Sequence, residues 1–155
     1  MEDEYLLEDC ELIDKKLPLD HKFFLYESQV KIVQSFLGLA ISEARNIEKI
    51  RKMLDILDTL NENIYDSDTV LPDATRKELR RETKEWVDID QKMDNGDKYT
   101  AYLILAASNL RIALSHLVAL KGDPDFSDHI SEYPVQYMQK LINMINNEAV
   151  GNVLL

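Results

Sequence analysis

A single cysteine, Cys10, is all the thiol chemistry this 155-residue chain carries. No intrachain disulfide can form, and a lone thiol fits a reducing compartment. Glycine and proline number four each. So few breakers leave few turns, and few turns mean few, long elements. The three histidines, His21, His116 and His129, are far apart, and none forms a Glu-x-x-His or His-x-x-x-His pair. That excludes zinc spacing and the paired motifs of a carboxylate di-iron bundle. Four scattered glycines make no phosphate-cradling loop. Positive charge is short as well: 18 Lys and Arg face 29 Asp and Glu, a formal net charge of −11. Such a chain repels nucleic acid in bulk and does not seek anionic membranes.

What is present reads as one folded domain. The hydrophobic share is 45 % against 30 % charged, too apolar for disorder. A chain of this length buries about two-thirds of its unfolded surface and needs no staple. Residues 1–20 hold eight acids against Lys15 and Lys16, so over half of the excess charge sits in an N-terminal arm. Its apolar residues leave room for a short helix ending before Pro18. The expectation is a solvated acidic arm over 1–20 and a helical domain over 21–155. The acidic start, Met1-Glu2-Asp3-Glu4-Tyr5, lacks the basic, apolar pattern of a signal peptide. No stretch reads as a membrane span, and a cytoplasmic location is expected.

From His21 to Ile64 there is no proline. Val33, Ala40, Ile47 and Leu54 recur every seven residues, and Phe36, Ile50, Leu57 and Ile64 follow the same frame three residues on. This a/d-type seam predicts a long first helix, roughly 65 Å if unbroken at 1.5 Å per residue. Glu43 and Asn61 interrupt the seam, and a bend near Gly38–Glu43 is expected. Thr75-Arg76-Lys77-Glu78 matches a capping box and predicts a second helix from about 74 to 94. That helix is charged, with Leu79, Trp86 and Met93 as a thin apolar stripe. Gly96-Asp97 closes it and caps the next. Residues 98–121 are apolar nearly all round, the mark of a buried central helix. A last helix is expected from near Pro134, with Val135, Met138, Leu141, Ile142, Ile145 and Ala149 inward. The fold expected is therefore all-α: an antiparallel helical bundle of four principal helices, with a long first helix and an acidic N-terminal arm.

Three constellations could carry function. Asp55 and Asp58 lie three apart on the first helix, and Glu82, Glu85 and Asp88 lie three apart on the second. Residues so spaced share a helix face and could hold Mg²⁺. The spacing resembles the paired acidic motifs of all-α nucleotide pyrophosphohydrolases of the MazG type, which implies Mg²⁺-dependent phosphate chemistry. Arg111 and His116, with Gly96-Asp97-Lys98-Tyr99-Thr100-Ala101 before them and Leu117-Val118-Ala119-Leu120-Lys121-Gly122 after, resemble the arginine–histidine motif of HEPN-type ribonucleases over about 30 residues. That resemblance implies metal-independent RNA cleavage, with Arg111 steadying phosphate and His116 moving a proton. On a regular helix the two side chains point about 140° apart, so one site would need a distortion or a dimer. The third constellation is basic: Arg76, Lys77, Arg80, Arg81 and Lys84, with Trp86 beside them. These cations could dock an acidic partner or the chain's own N-terminal arm, and Trp86 could anchor its helix or a partner.

Cys10 sits among acids that blunt a thiol, so nucleophilic catalysis finds no support. The balance favours a non-enzymatic protein–protein interaction module of the inhibitor, immunity, chaperone-like or adaptor kind, without a cofactor. Its partner is another protein or a second copy of the chain. The HEPN-like and pyrophosphohydrolase readings stand as its alternatives.

Overall fold

The computed structural model describes residues 3–84 and 96–153. The protein is mostly helical. Among the described residues the α-helices are α1 (Lys22–Ser42), α2 (Ile47–Tyr65), α3 (Asp73–Arg80), α4 (Lys98–Lys121) and α5 (Glu132–Val153). Ahead of them lie a 3₁₀ turn at Glu4–Leu6 and a two-stranded antiparallel sheet, β1 (Leu7–Cys10) and β2 (Lys15–Pro18).

The acidic segment thus forms a hairpin in place of the expected short helix. The pairing explains why. Asp9 lies opposite Lys16 and Cys10 opposite Lys15, so the two lysines face acidic β1. A helix would instead stack Glu4, Glu8 and Glu11 on one side, and like charges at that spacing repel. Asp14 takes a left-handed conformation, φ 52°, to close the turn, which aspartate tolerates. Most of the segment is exposed, yet it is anchored to the body. Cys10 is 1 % exposed, Leu17 is buried, and Lys15 reaches Asp125 at 3.2 Å. Burial pushes the Cys10 thiol above its ordinary range, with Glu27 and Glu11 adding to the effect.

The expected long helix is two helices folded back on each other. Ser42 Oγ donates to the Leu39 carbonyl, and the Glu43 and Ala44 amides bond back to Ala40 and Ile41. Ala44 and Asn46 then adopt left-handed backbone, φ 57° and 47°. Two reversals within three residues turn the chain round. Tyr26 donates to Asn61 at 3.0 Å and Gln34 to Asp58 at 2.9 Å, which sets α1 and α2 antiparallel. The heptad frame survives across the break, because Val33, Ala40, Ile50, Leu57 and Ile64 are all buried. Asparagine suits the left-handed region, whereas alanine is strained there by roughly 1–2 kcal/mol. Ala44 is exposed, so Ala44→Gly is expected to stabilise the fold by roughly 0.5–1 kcal/mol once glycine's freer unfolded chain is counted. Calorimetry should show the midpoint rise by about 1–4 °C. A fall would contradict the strain.

Helix α3 also departs from expectation. It begins at Asp73, and no side chain caps it, so Thr75 and Glu78 do not act as a capping box. Glu78 pairs with Lys52 of α2 instead. The start is fixed from outside: Leu71 is buried, and its amide donates to the Tyr133 hydroxyl at 2.9 Å. The helix ends at Arg80 in a tight turn, with the Arg81 and Glu82 amides bonding back to the Glu78 and Leu79 carbonyls, and α5 holds the carbonyls that follow. Lys140 Nζ bonds the Arg80 and Glu82 carbonyls, and Asn147 Nδ2 the Thr83 carbonyl. Trp86 and Met93, read as the rest of its apolar stripe, lie outside the described residues.

Helix α4 starts as the Gly96-Asp97 pair predicts: Gly96 has φ 73°, and Asp97 accepts from the Thr100 amide. It packs between α1 and α5, and α1 is its most extensive contact. Its length and composition would suffice to cross a bilayer, as those of a core helix often do. Buried Leu103, Leu110, Leu114 and Leu117 hold the middle of the core. The helix is not covered all round, however. Leu105, Ile112 and Val118 are exposed, because α1 and α5 cover only part of its circumference. Helix α5 begins two residues before the expected Pro134, which falls in the first turn where a missing amide costs nothing.

Candidate interaction surface

The outer face of α1 and α4 is built from two seven-residue repeats. Leu25, Ile32 and Leu39 recur on α1, and Leu105 and Ile112 on α4, all 38–44 % exposed. Half-buried Ala119 continues the second series. Contacts at both ends set the register. Arg45, just past α1, pairs with Asp97 at the start of α4 at 2.6 Å. At the other end His21 lies 3.8 Å from Asp123, and Phe23 stacks on Phe126. The helices are therefore antiparallel. That register places Leu39 level with Leu105, Ile32 with Ile112 and Leu25 with Ala119.

Charge is nearly absent from these two helices. Between Phe23 and Ser42 the only charged residues are Glu27 and Lys31, and between Tyr99 and Leu120 the only one is Arg111. Helix α2, of similar length, carries seven. The polar side chains beside the stripes already bond their own helices. Ser35 and Ser42 donate to the Lys31 and Leu39 carbonyls, and Asn109 and Ser115 to those of Leu105 and Arg111. Groups satisfied in this way can be covered without losing a hydrogen bond. The face behaves as an apolar surface.

On its other side α4 borders α5 across an open groove of about 800 Å³. Ala107, Val118 and Ile142 give it apolar walls, Asn143 and Asn146 give it amides, and Lys84 and Arg111 give it positive charge. Ile112 lines both the groove and the α1/α4 face. Arg111 Nη1 donates to Ser115 Oγ at 2.7 Å. His116, half-buried, leaves the regular helix about 140° away. The helix carries them to different sides of α4 and does not bring them together in one chain.

The acidic candidates are dispersed as well. Asp58 accepts from Gln34 of α1, and Asp55 is exposed on α2. Glu82 accepts from Asn147 of α5. Glu85 and Asp88 lie outside the described residues. Among the described residues no three His, Cys, Asp or Glu side chains group closely enough to hold a metal ion.

The basic cluster is not one helical face, since α3 ends at Arg80. Arg76 pairs with Asp73, Lys77 and Arg80 are exposed, Arg81 caps the helix, and Lys84 lies beside the groove. Trp86 lies outside the described residues. The hairpin does not dock on these cations through any described ion pair: Lys15 reaches Asp125, at the far end of α4.

Sequence reasoning missed a polar knot at the other end of the bundle. Glu148 of α5, 9 % exposed, accepts from Tyr99 at 2.9 Å and from Asn46 at 2.5 Å, and pairs with Lys49 at 3.4 Å. Arg45 lies over the Tyr99 ring, 4.6 Å from its centroid. Burial and the Glu148 hydrogen bond raise the Tyr99 hydroxyl well above its ordinary pKa. The knot joins the α1–α2 turn, α4 and α5, and it borders none of the described pockets. Its position marks it as a fastening of the fold.

No curated protein matches the chain. A family model does match, over residues 9–151, from within β1 to near the end of α5. That span takes in every described element of the surface, and the chain belongs to the family described as "Domain of unknown function (DUF1940)".

Proposed function

We propose that the protein is a non-enzymatic protein–protein interaction module, of the inhibitor, immunity, chaperone-like or adaptor kind. The observation that carries the reading is the α1/α4 face, apolar and almost free of charge in a chain with a net charge of −11. Contiguous apolar surface rimmed by polar residues marks interaction sites. Depletion of charge at the centre of such a patch is the compositional signal of an interface. In this reading α1, α2, α4 and α5 are an antiparallel four-helix bundle that holds the face rigid. No cofactor is needed, the acidity turns nucleic acid away, and the protein works in the cytoplasm.

The ribonuclease reading lacks such support, since Arg111 and His116 diverge around α4. The pyrophosphohydrolase reading has Asp58 turned to Gln34 and Glu82 to Asn147. The module is tested by quantitative capture with the full chain and with Ile112→Glu, alongside sedimentation of both. A carboxylate placed at the centre of the face must be buried unpaired in any complex, so binding should weaken at least tenfold. The reading fails if the wild-type chain retains no stoichiometric partner and does not self-associate. It also fails if Ile112→Glu binds as tightly as wild type.

A further inference from the structure

We propose that the α1/α4 face is covered by a second copy of this chain, in a two-fold dimer whose axis runs along the face between the two helices. The inference rests on the reading of this face as an interaction surface and names its occupant.

Three observations favour a second copy. The first is register. An axis parallel to the helices keeps every residue at its own height while exchanging the two sides. Helix α1 then lies over α4 of the partner subunit, antiparallel to it. Ile32 meets Ile112 of the partner subunit, and Leu39 meets Leu105 of the partner subunit, with no slip needed. This follows because the rungs Leu39–Leu105, Ile32–Ile112 and Leu25–Ala119 are already level within one chain. An isologous interface requires a self-complementary patch, and this ladder is one. The seven-residue spacing on both helices is the repeat by which facing helices interdigitate at shallow crossing angles.

The second observation is area. The helices are 21 and 24 residues long, or about 31–36 Å. Side by side they present a face about 20 Å wide, at 8–10 Å between axes. Roughly 600 Å² per protomer follows, or about 1,200 Å² in total, at the lower bound for a specific interface.

The third is charge. Each copy carries −11, so two copies associate only through a surface that keeps their charges apart. The acidic hairpin lies beside the first half of α1, where Glu8, Asp9 and Glu11 line a pocket with Phe24, Ser28 and Lys31, and α2 with its seven charges packs on α1 and α5. The α1/α4 face holds Leu, Ile, Ala, Ser and Asn. A highly charged partner would find little on it to pair with, whereas a second copy of the same face brings few charges to bury, Arg111 at the groove edge beside Ile112 being the nearest on α4.

Sedimentation equilibrium of the full chain up to about 100 µM tests the proposal, a range suited to an interface of this size. The expected mass at the top of that range is twice the 18.0 kDa of one chain. Ile32→Glu and Ile112→Glu should each weaken the dimer at least a hundredfold. Adding Ile112→Lys to Ile32→Glu should restore it, because the axis sets the two positions against each other. Val70→Glu, at an exposed apolar residue in the α2–α3 linker, should leave the dimer intact. Circular dichroism confirms that each variant is folded, which exposed positions allow. A chain that stays monomeric at 100 µM overturns the dimer, as does a dimer indifferent to both glutamates. If a monomeric chain still captures another protein through Ile112, the dimer falls while the interaction module stands.

Discussion

Glu148→Ala is expected to remove about 3 kcal/mol of stability and lower the unfolding midpoint by roughly 6–12 °C. The carboxylate accepts from Tyr99 and Asn46, and hydrogen bonds to a charged acceptor contribute about 1.5–3 kcal/mol each. Lys49 counts for less, because its side chain is 40 % exposed and water can replace the lost partner. The larger loss is at Tyr99. Its ring is fully buried, and without Glu148 the hydroxyl has no acceptor among its described partners. Tyr99→Phe removes the stranded donor. It should therefore cost about 1 kcal/mol alone and much less in a Glu148→Ala background. Thermal unfolding of the four proteins in this cycle gives the coupling directly. A Glu148→Ala midpoint within 2 °C of wild type would show that the knot fastens nothing.

The same knot shows where sequence reading reaches its limit. Glu148, Tyr99 and Asn46 sit on three elements, and no periodicity links them. Their meeting depends on the reversal at Ala44–Asn46, which folds α2 back toward α5. That reversal carries no glycine or proline, so the chain reads as a continuous helix with a bend. Strongly periodic stretches were legible. Helix α4, with its Gly96-Asp97 start, and α5 could be placed from pattern alone. The extent of α3 was not, because the segment that leaves it is held by Lys140 and Asn147, some sixty residues on in sequence. The hairpin was hidden for a similar reason. Asp9–Lys16 pairing is worth little as a local signal and decides the outcome only once Cys10 and Leu17 are buried.

The candidate surface was half visible. The heptad frame of Val33 and Ala40 marks the buried side of α1. Leu25, Ile32 and Leu39 recur at the same interval one residue earlier, and one residue is 100° of helix. A second apolar series at that offset is a surface stripe that a single core does not require. The shortage of charge from Phe23 to Ser42 pointed the same way. The pairing of this stripe with Leu105 and Ile112 was not legible, because it depends on α1 and α4 lying side by side across the intervening α2 and α3.

Phe126→Ala should be the most damaging single truncation at the opposite end of the molecule. Phe126 is fully buried in the turn between α4 and α5. Its ring stacks on Phe23 at 5.7 Å and meets the His21 ring at a tilt, 5.4 Å between centroids. Truncating a buried phenylalanine costs about 3–5 kcal/mol, through lost transfer energy and the cavity left behind. Two further consequences follow from its neighbours. His21 caps α1 by accepting from the Phe23 amide through Nδ1, so losing the ring beneath it loosens the first turn of that helix. Asp125, one residue before, holds Lys15 of the hairpin. Local opening of the hairpin should therefore become easier than global unfolding. Cys10 reports this directly, being the only cysteine, buried, and with its thiol pKa raised. In the wild-type protein a thiol reagent should modify it slowly, at a rate set by opening. In Phe126→Ala below its midpoint, modification should be at least tenfold faster while the helical circular dichroism is retained. Labelling at the wild-type rate would show that the hairpin is held by its own buried residues, Cys10 and Leu17, independently of the α4–α5 turn.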